Sequence, residues 1–400
     1  MLRSFRVANH RSIRAEQELL LTPAYDKTRP VVPVAAIFGA NASGKSNLLD
    51  ALRFMQHAVR DSFADWKPGT GIPRTPFKLD PAAAVEPSVY VVELLLDGVR
   101  HIYGFEIDDE KVREEWLYAY PHSRRRVIFD REGQQIRLGS TVADHRSRTA
   151  LLAELTRENT LFLSAAAHAN VADVMPLYTW FRAGMAFIVD EARHPDEQQI
   201  ARDLSDPMTG ERMLALLRAA DMGIERITVE QALDGGYCLL FHHNDDGSPL
   251  PFCDEAHGTK LWLSYLRQLL HCLDNGGVLV IDEVDSSLHP RLTGRLLEMF
   301  KNPETNARNA QLVVACQDAT LLGRDLGEDI LPRDAVWFVK KDRNGMTTLY
   351  PLSDFKPRKD ENTERRYLSG SYGAVAQLFD VEFEDAVRLH REMVGGRVAS

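Results

Sequence analysis

The segment Gly39-Ala40-Asn41-Ala42-Ser43-Gly44-Lys45-Ser46 carries the residue types that hold a polyphosphate, at the spacing G-x-x-x-x-G-K-S. Glycines let the backbone wrap a phosphate, and a helix opening at the end of the segment aims its amide N–H groups at the same anion. Lys45 is placed to reach the β- and γ-phosphates, and the Ser46 hydroxyl to ligate Mg²⁺. Gly39, Asn41, Ser43, Gly44 and Asn47 complete the expected cradle for ATP. A second set of groups lies far along the chain, where Val278-Leu279-Val280-Ile281 runs into Asp282-Glu283. A buried strand there would deliver Asp282 to the Mg²⁺ sphere, and Glu283 to the water that attacks the γ-phosphate. The paired carboxylates, with no N-K-x-D segment to read a guanine base, favour ATP hydrolysis over GTP switching.

These groups need elements to position them. The apolar run ending at Phe38 reads as a strand entering the loop, and Asn47-Leu48-Leu49-Asp50-Ala51-Leu52 as the helix leaving it, extending to about Phe63. The second strand is expected beside the first. Residues 2–21 read as a β-hairpin edge. From Ser88 to Leu138 a meander is expected, with strands over 90–96, 99–107 and 111–120 parted by Asp97-Gly98 and Asp108-Asp109. Helical spacing then appears over 148–158, 169–182, 196–204 and 210–220. Within that stretch Ala186-Phe187-Ile188-Val189-Asp190-Glu191 imitates the 278–283 run, and its place among helices marks it as a decoy. Strands over 224–232 and 237–242 follow, then a helix over 259–273 closed by Asn275-Gly276-Gly277. The fold expected from these elements is α/β, a P-loop NTPase with an antiparallel β-meander and a helical insertion. The divisions are 1–143, 144–221 and 222–400.

A length of 400 residues fits two or three units at about 150 residues per domain. A net charge of −10 argues against wholesale nucleic-acid binding. The densest basic cluster, Arg124-Arg125-Arg126 with Arg113 and Arg131 near it, reads as a solvated strand edge. Four cysteines without C-x-x-C spacing indicate neither zinc nor a disulfide framework, and point to a reducing, cytoplasmic setting. No apolar run approaches the ~20 residues of a membrane span. His242, His243 and His257, with Asp245, Asp246 and Asp254, match no zinc spacing and read as a polar loop.

The run Asp285-Ser286-Ser287-Leu288-His289-Pro290 after the carboxylates resembles the D-E-x-x-x-x-L-H-P run of ABC-type ATPases in the SMC/RecF and overcoming-lysogenization-defect class. Gln311–Cys316 followed by Gln317-Asp318-Ala319-Thr320 looks like that class's next strand and switch segment. Asp254-Glu255-Ala256-His257-Gly258-Thr259-Lys260 is similar to its signature segment, and Asn9-His10-Arg11-Ser12 to its N-terminal N-F-[KR]-S hairpin. Tyr103-Gly104-Phe105, Glu114, Phe162-Leu163-Ser164 and the segment from Arg366 to Ala374 extend the resemblance to compact bacterial ATPases of phage-defence and abortive-infection modules. The resemblance implies heads that work in pairs. The signature helix of one copy, opened at Gly258, would face the γ-phosphate held by the other, with Asp285 in the loop crossing between them. Gln317 would sense the γ-phosphate.

Two departures bear on rate. The signature serine is replaced by Ala256 and the switch histidine by Gln317. Losing a donor that acts on the transition state costs on the order of tenfold to a thousandfold, so slow turnover is expected. Acidic residues Asp318, Asp354, Asp360, Glu361 and Glu364 raise a fused Toprim nuclease, but the stretch after Trp337 is too short to hold that fold. An effector, toxin or nuclease, is therefore expected as a separate polypeptide. The sequence supports three readings: an ATP-driven switch of an anti-phage module, a DNA repair or recombination ATPase binding DNA directly, and an ATP-dependent scaffold with incidental turnover.

Overall fold

The central parallel strands are buried at every position, and their side chains alternate between two cores, one on each face. In the computed structural model a six-stranded sheet runs in the order Thr347–Pro351, Val336–Lys341, Val34–Phe38, Gln311–Cys316, Val278–Ile281, Met185–Ile188. The last five strands are parallel, and Thr347–Pro351 is an antiparallel edge. The residues described are 1–375 apart from 26–27, 143–145, 190–194, 233–234, 244–246, 286–287, 326–327 and 359–360.

Ala35, Ile37, Val278, Val280, Val313, Ala315, Trp337 and Val339 point to one core, and Val34, Ala36, Phe38, Leu279, Ile281, Leu312, Val314, Cys316, Val336 and Phe338 to the other. Strands covered on both faces must be apolar throughout, and these are. The first core also takes the helix Lys45–Asp65 through Leu48, Leu49, Leu52, Met55 and Val59, and beyond it the inner face of a second sheet. The other core takes the helices His257–Asn275 and Pro290–Lys301, with Glu197–Ser205 and Pro207–Ala219 outside them.

The second sheet has seven antiparallel strands in the order Gln17–Leu20, Leu2–Ala8, Ser88–Leu96, Val99–Ile107, Val112–Tyr120, Arg126–Glu132, Gln135–Leu138. The expected meander is therefore present and is extended by the N-terminal hairpin. Leu2–Ala8 is an interior strand of it, with Gln17–Leu20 at the edge. Two devices tie this sheet to the rest. Gln311 accepts from the Leu2 N–H at 2.7 Å and donates to the Leu2 carbonyl at 2.8 Å, stitching sheet to sheet. Glu115, fully buried, accepts from Tyr103 Oη at 3.0 Å and from the N–H groups of Phe162 and Leu163 at 2.6 and 2.9 Å, with Arg131 3.5 Å away. One carboxylate thus caps the helix Phe162–His168 and pairs with its cross-strand neighbour. Arg131, expected in a solvated basic cluster, is a core residue instead, donating to the Thr160 carbonyl at 2.6 Å.

Three further expectations need correction. The strand Val278–Ile281 does not lie beside the P-loop strand, because Gln311–Cys316 is inserted between them. The run at 186–189 is no part of a helical stretch: Met185–Ile188 pairs in parallel with Val278–Ile281 and extends the sheet. Asp190 and Glu191 lie outside the described residues. The helix expected over 169–182 is shorter, Met175–Ala183; its first six positions follow the end of a separate helix, Phe162–His168, and include Asn170 at a positive φ of 57°.

Candidate functional site

Parallel strands deliver their C-terminal ends to one edge of the sheet, and the loops leaving that edge are where groups from distant sequence converge. Here that edge gathers the loop after Phe38, the carboxylates after Ile281 and the segment after Cys316. Val34–Phe38 enters a loop whose turns use positive φ at Ala42 (62°) and Gly44 (110°), and the helix Lys45–Asp65 begins immediately. A Cβ on Gly39 would lie 2.4 Å from the Val339 carbonyl oxygen, and one on Gly44 2.2 Å from Thr347 Oγ1, so both glycines are required by close approach. Asn41 and Ser46 are exposed, and Asn47 Nδ2 donates to Ser12 Oγ at 2.6 Å. The Ser43 hydroxyl is buried with no hydrogen-bond partner among the described residues.

Lys45 is 6% exposed and folds back on its own loop, donating to the carbonyls of Gly39 at 2.7 Å and Ala40 at 3.2 Å. Burial pushes its ammonium below the ordinary 10.5, and the nearby Asp282, Asp285 and Glu283 pull it back up.

Asp282 is 7% exposed and its N–H donates to the Ile188 carbonyl at 2.9 Å, so the edge strand Met185–Ile188 helps to place it. Glu283 takes a left-handed φ of 47°, a conformation that costs a non-glycine residue about 1–3 kcal/mol. Its neighbours hold it there: Val284 N–H donates to the Ala315 carbonyl at 3.2 Å, and Gln317 Nε2 donates to Glu283 Oε1 at 2.9 Å. Asp285 accepts from the Gln317 N–H at 2.6 Å and from that of Asp318. Within one chain, then, Asp285 fastens the segment that begins at Gln317.

Gly258 belongs to a different element. It sits in the first turn of His257–Asn275, behind Ala256, which offers no side-chain cap. Glu255 instead accepts from the Ala256 N–H at 2.8 Å and meets His243 Nε2 at 2.9 Å. His242 is engaged with Thr228 at 2.9 Å, and Asp245 and Asp246 lie outside the described residues. Among the described residues no group of three or more His, Cys, Asp or Glu side chains is arranged to hold a metal. No helix among them is long and apolar enough to cross a membrane.

Three contributors were missed from the sequence. Thr347 donates to the Ser43 carbonyl at 2.9 Å, Ser12 lies 2.7 Å from Thr347, and the Ala374 carbonyl accepts the Ala40 N–H at 2.9 Å. Tyr372, two residues before Ala374, stacks on Phe338 at 4.9 Å and brings the C-terminal segment to the loop. No local signal announces Thr347 or Ala374, which lie more than 300 residues from the P-loop groups they meet, and Ser12 reaches Asn47 from 35 residues away.

Among solved structures, the chain is similar to a crystal structure of the Smc head domain with an extended coiled coil, bound to the C-terminal domain of ScpA, from Pyrococcus furiosus. Identity is 13% and the TM-score 0.43, with 89% of this chain and 97% of that one covered. No curated protein matches the sequence. The family model described as "AAA domain, putative AbiEii toxin, Type IV TA system" matches residues 34–322, a span that contains the P-loop, both carboxylates and Gln317. The chain belongs to that AAA-domain family.

Proposed function

We propose that this protein binds ATP with Mg²⁺, hydrolyses it slowly, and acts as the nucleotide-controlled switch of a bacterial anti-phage module whose effector is a separate protein. The observation that carries the reading is the convergence at one sheet edge of a buried Lys45 held by the Gly39 and Ala40 carbonyls, the Asp282–Glu283 pair, and Gln317 on Glu283. The residues fit the nucleotide and its metal. Two glycines leave no room for side chains, a buried Ser43 hydroxyl lacks a partner among the described residues, and two carboxylates stand next to the lysine. Gly39, Asn41, Ser43, Gly44 and Lys45 would bind the phosphates, with Asn47 supporting the loop through Ser12. Ser46 and Asp282 would hold Mg²⁺, which when bound supplies charge neutralisation at the phosphate oxygens.

Glu283 is the group to orient the attacking water and take its proton. Gln317 fixes the carboxylate by a neutral hydrogen bond and carries no charge toward the reaction, which is the physical basis for slow turnover. Gly258 would complete the site from a second copy, aiming helix N-terminal amides at the γ-phosphate. The toxin–antitoxin wording of the family description supports a defence role in the cytoplasm, and the net charge of −10 weighs against DNA as the principal partner.

Purified protein should turn over ATP in a Mg²⁺-dependent manner. Lys45→Ala removes the partner of a buried anion and should weaken ATP binding on the order of a hundredfold. Unchanged affinity in that variant would contradict the assignment. Stimulation by DNA with a steep salt dependence would favour the repair reading. Phage protection that survives Glu283→Gln would favour the scaffold.

A further inference from the structure

The Ser43 carbonyl does not point into the loop but toward the edge strand, where Thr347 Oγ1 lies 2.9 Å away. Thr347 Oγ1 is 2.7 Å from Ser12 Oγ, and Asn47 Nδ2 is 2.6 Å from the same Ser12 oxygen. Proton positions in this set are fixed by elimination. The Asn47 amide nitrogen can only donate and the Ser43 carbonyl can only accept. Ser12 therefore accepts from Asn47 and donates to Thr347, and Thr347 donates to Ser43. The chain runs one way, begins and ends on the P-loop element, and brackets Gly44, Lys45 and Ser46. A main-chain bond from Thr347 N–H to the Ser12 carbonyl, 2.8 Å, holds the two hydroxyl residues together.

The consequence lies in the next peptide. The described chain has no cis peptide bond, so the Ser43 carbonyl and the Gly44 N–H point in opposite directions. Anchoring the carbonyl on Thr347 turns the Gly44 N–H away from Thr347, and no acceptor among the described residues takes it. The same hydroxyls occupy the space beside Gly44, where a Cβ would lie 2.2 Å from Thr347 Oγ1 and 3.0 Å from Ser12 Oγ. Gly44 at φ 110° is thus explained from outside the loop as well as within it.

We propose that Thr347 and Ser12 are positioning residues that preset the Gly44 N–H toward the phosphates of bound ATP. The proposal rests on the ATP-binding reading and adds to it that the cradle is built in advance by two segments far from it in sequence. Their hydroxyls touch no phosphate; they act through the Ser43–Gly44 peptide. A preset N–H serves ground and transition states alike, so its loss should appear in KM and not in kcat.

The test compares wild type, Thr347→Val, Thr347→Ser and Ser12→Ala for the Kd of a fluorescent ATP analogue with Mg²⁺, for KM and kcat, and for thermal midpoint. Thr347→Val keeps the shape and removes the donor; its Kd and KM should rise on the order of tenfold with kcat within about twofold of wild type. Thr347→Ser should restore binding to within about threefold, and Ser12→Ala should fall between, independently of any change in midpoint. Binding by Thr347→Val within about twofold of wild type overturns the proposal, as does a Thr347→Ser variant as weak as Thr347→Val. If Thr347→Val does not fold, Ser12→Ala decides, and unchanged binding there overturns it. A wild type that binds no nucleotide sinks the ATP reading itself, a result distinct from equal binding by all four proteins.

Discussion

At the scale of single residues, the groups proposed to do chemistry can be picked out of the sequence because the motif is local. Gly39, Gly44, Lys45 and Ser46 sit within eight positions, and Asp282 and Glu283 are adjacent. Their supports were not legible, since Thr347 reaches Ser43 from 304 residues away. Glu283→Gln keeps the hydrogen-bonding shape beside Gln317 while removing the base, so kcat should fall at least a hundredfold with ATP affinity retained; a steady-state assay beside a binding titration checks this. A second prediction concerns Asp50 on the P-loop helix. Burial raises its pKa, but hydrogen bonding to His10, 2.9 Å away, and the charges of His10, Arg11 and Arg53 outweigh that and hold it below the ordinary 3.8. A folded-state pKa lowered in this way contributes stability above the unfolded value, which is lost as pH falls through the folded one. Denaturant midpoints taken between pH 6 and about 3 should therefore decline less steeply in Asp50→Asn than in wild type. Parallel curves would show that Asp50 adds nothing to acid stability.

At the scale of elements, the meander was readable because its strands are rich in branched and aromatic residues and are parted by the turn signals Asp97-Gly98 and Asp108-Asp109. Strand order in the parallel sheet was not. A strand apolar on both faces says that it is interior and nothing about its neighbours, so the insertion of Gln311–Cys316 between the two motif strands left no trace in composition. The same holds for Met185–Ile188, four residues too short to outvote the helices on either side. That strand is nonetheless part of the site, because its Ile188 carbonyl anchors Asp282. The clamp at Glu115 joins the meander to Phe162–His168 and, through it, to the P-loop helix. Glu115→Ala leaves Arg131 buried without its carboxylate and two helix N–H groups without an acceptor, and should cost about 3–5 kcal/mol in urea unfolding. A loss below about 1 kcal/mol would show that the clamp is dispensable.

At the scale of the whole molecule, the six- and seven-stranded sheets, a three-stranded sheet that adds Ile227, Leu239 and Phe241 to the second core, and the helices packed on them form two cores that meet at the parallel sheet, with the candidate site on its rim. The depth of those cores is open to a chemical check. Cys253 is exposed, whereas burial pushes the Cys272 thiol up to about 12 and that of Cys316 well above its ordinary value. Alkylation of native protein near pH 7.5 should modify Cys253 and spare Cys272 and Cys316 until the chain unfolds, as read by peptide mass spectrometry. The placement of Gly258 on an element of its own, away from the hydrogen-bond network around Lys45, is what leaves a role for a second chain. Light scattering of Glu283→Gln with Mg²⁺ and ATP measures that most directly. The mass should double from the 45.1 kDa of one chain on adding ATP and return on its removal. A protein that binds ATP and stays at the mass of a single chain would contradict a site completed by a second copy.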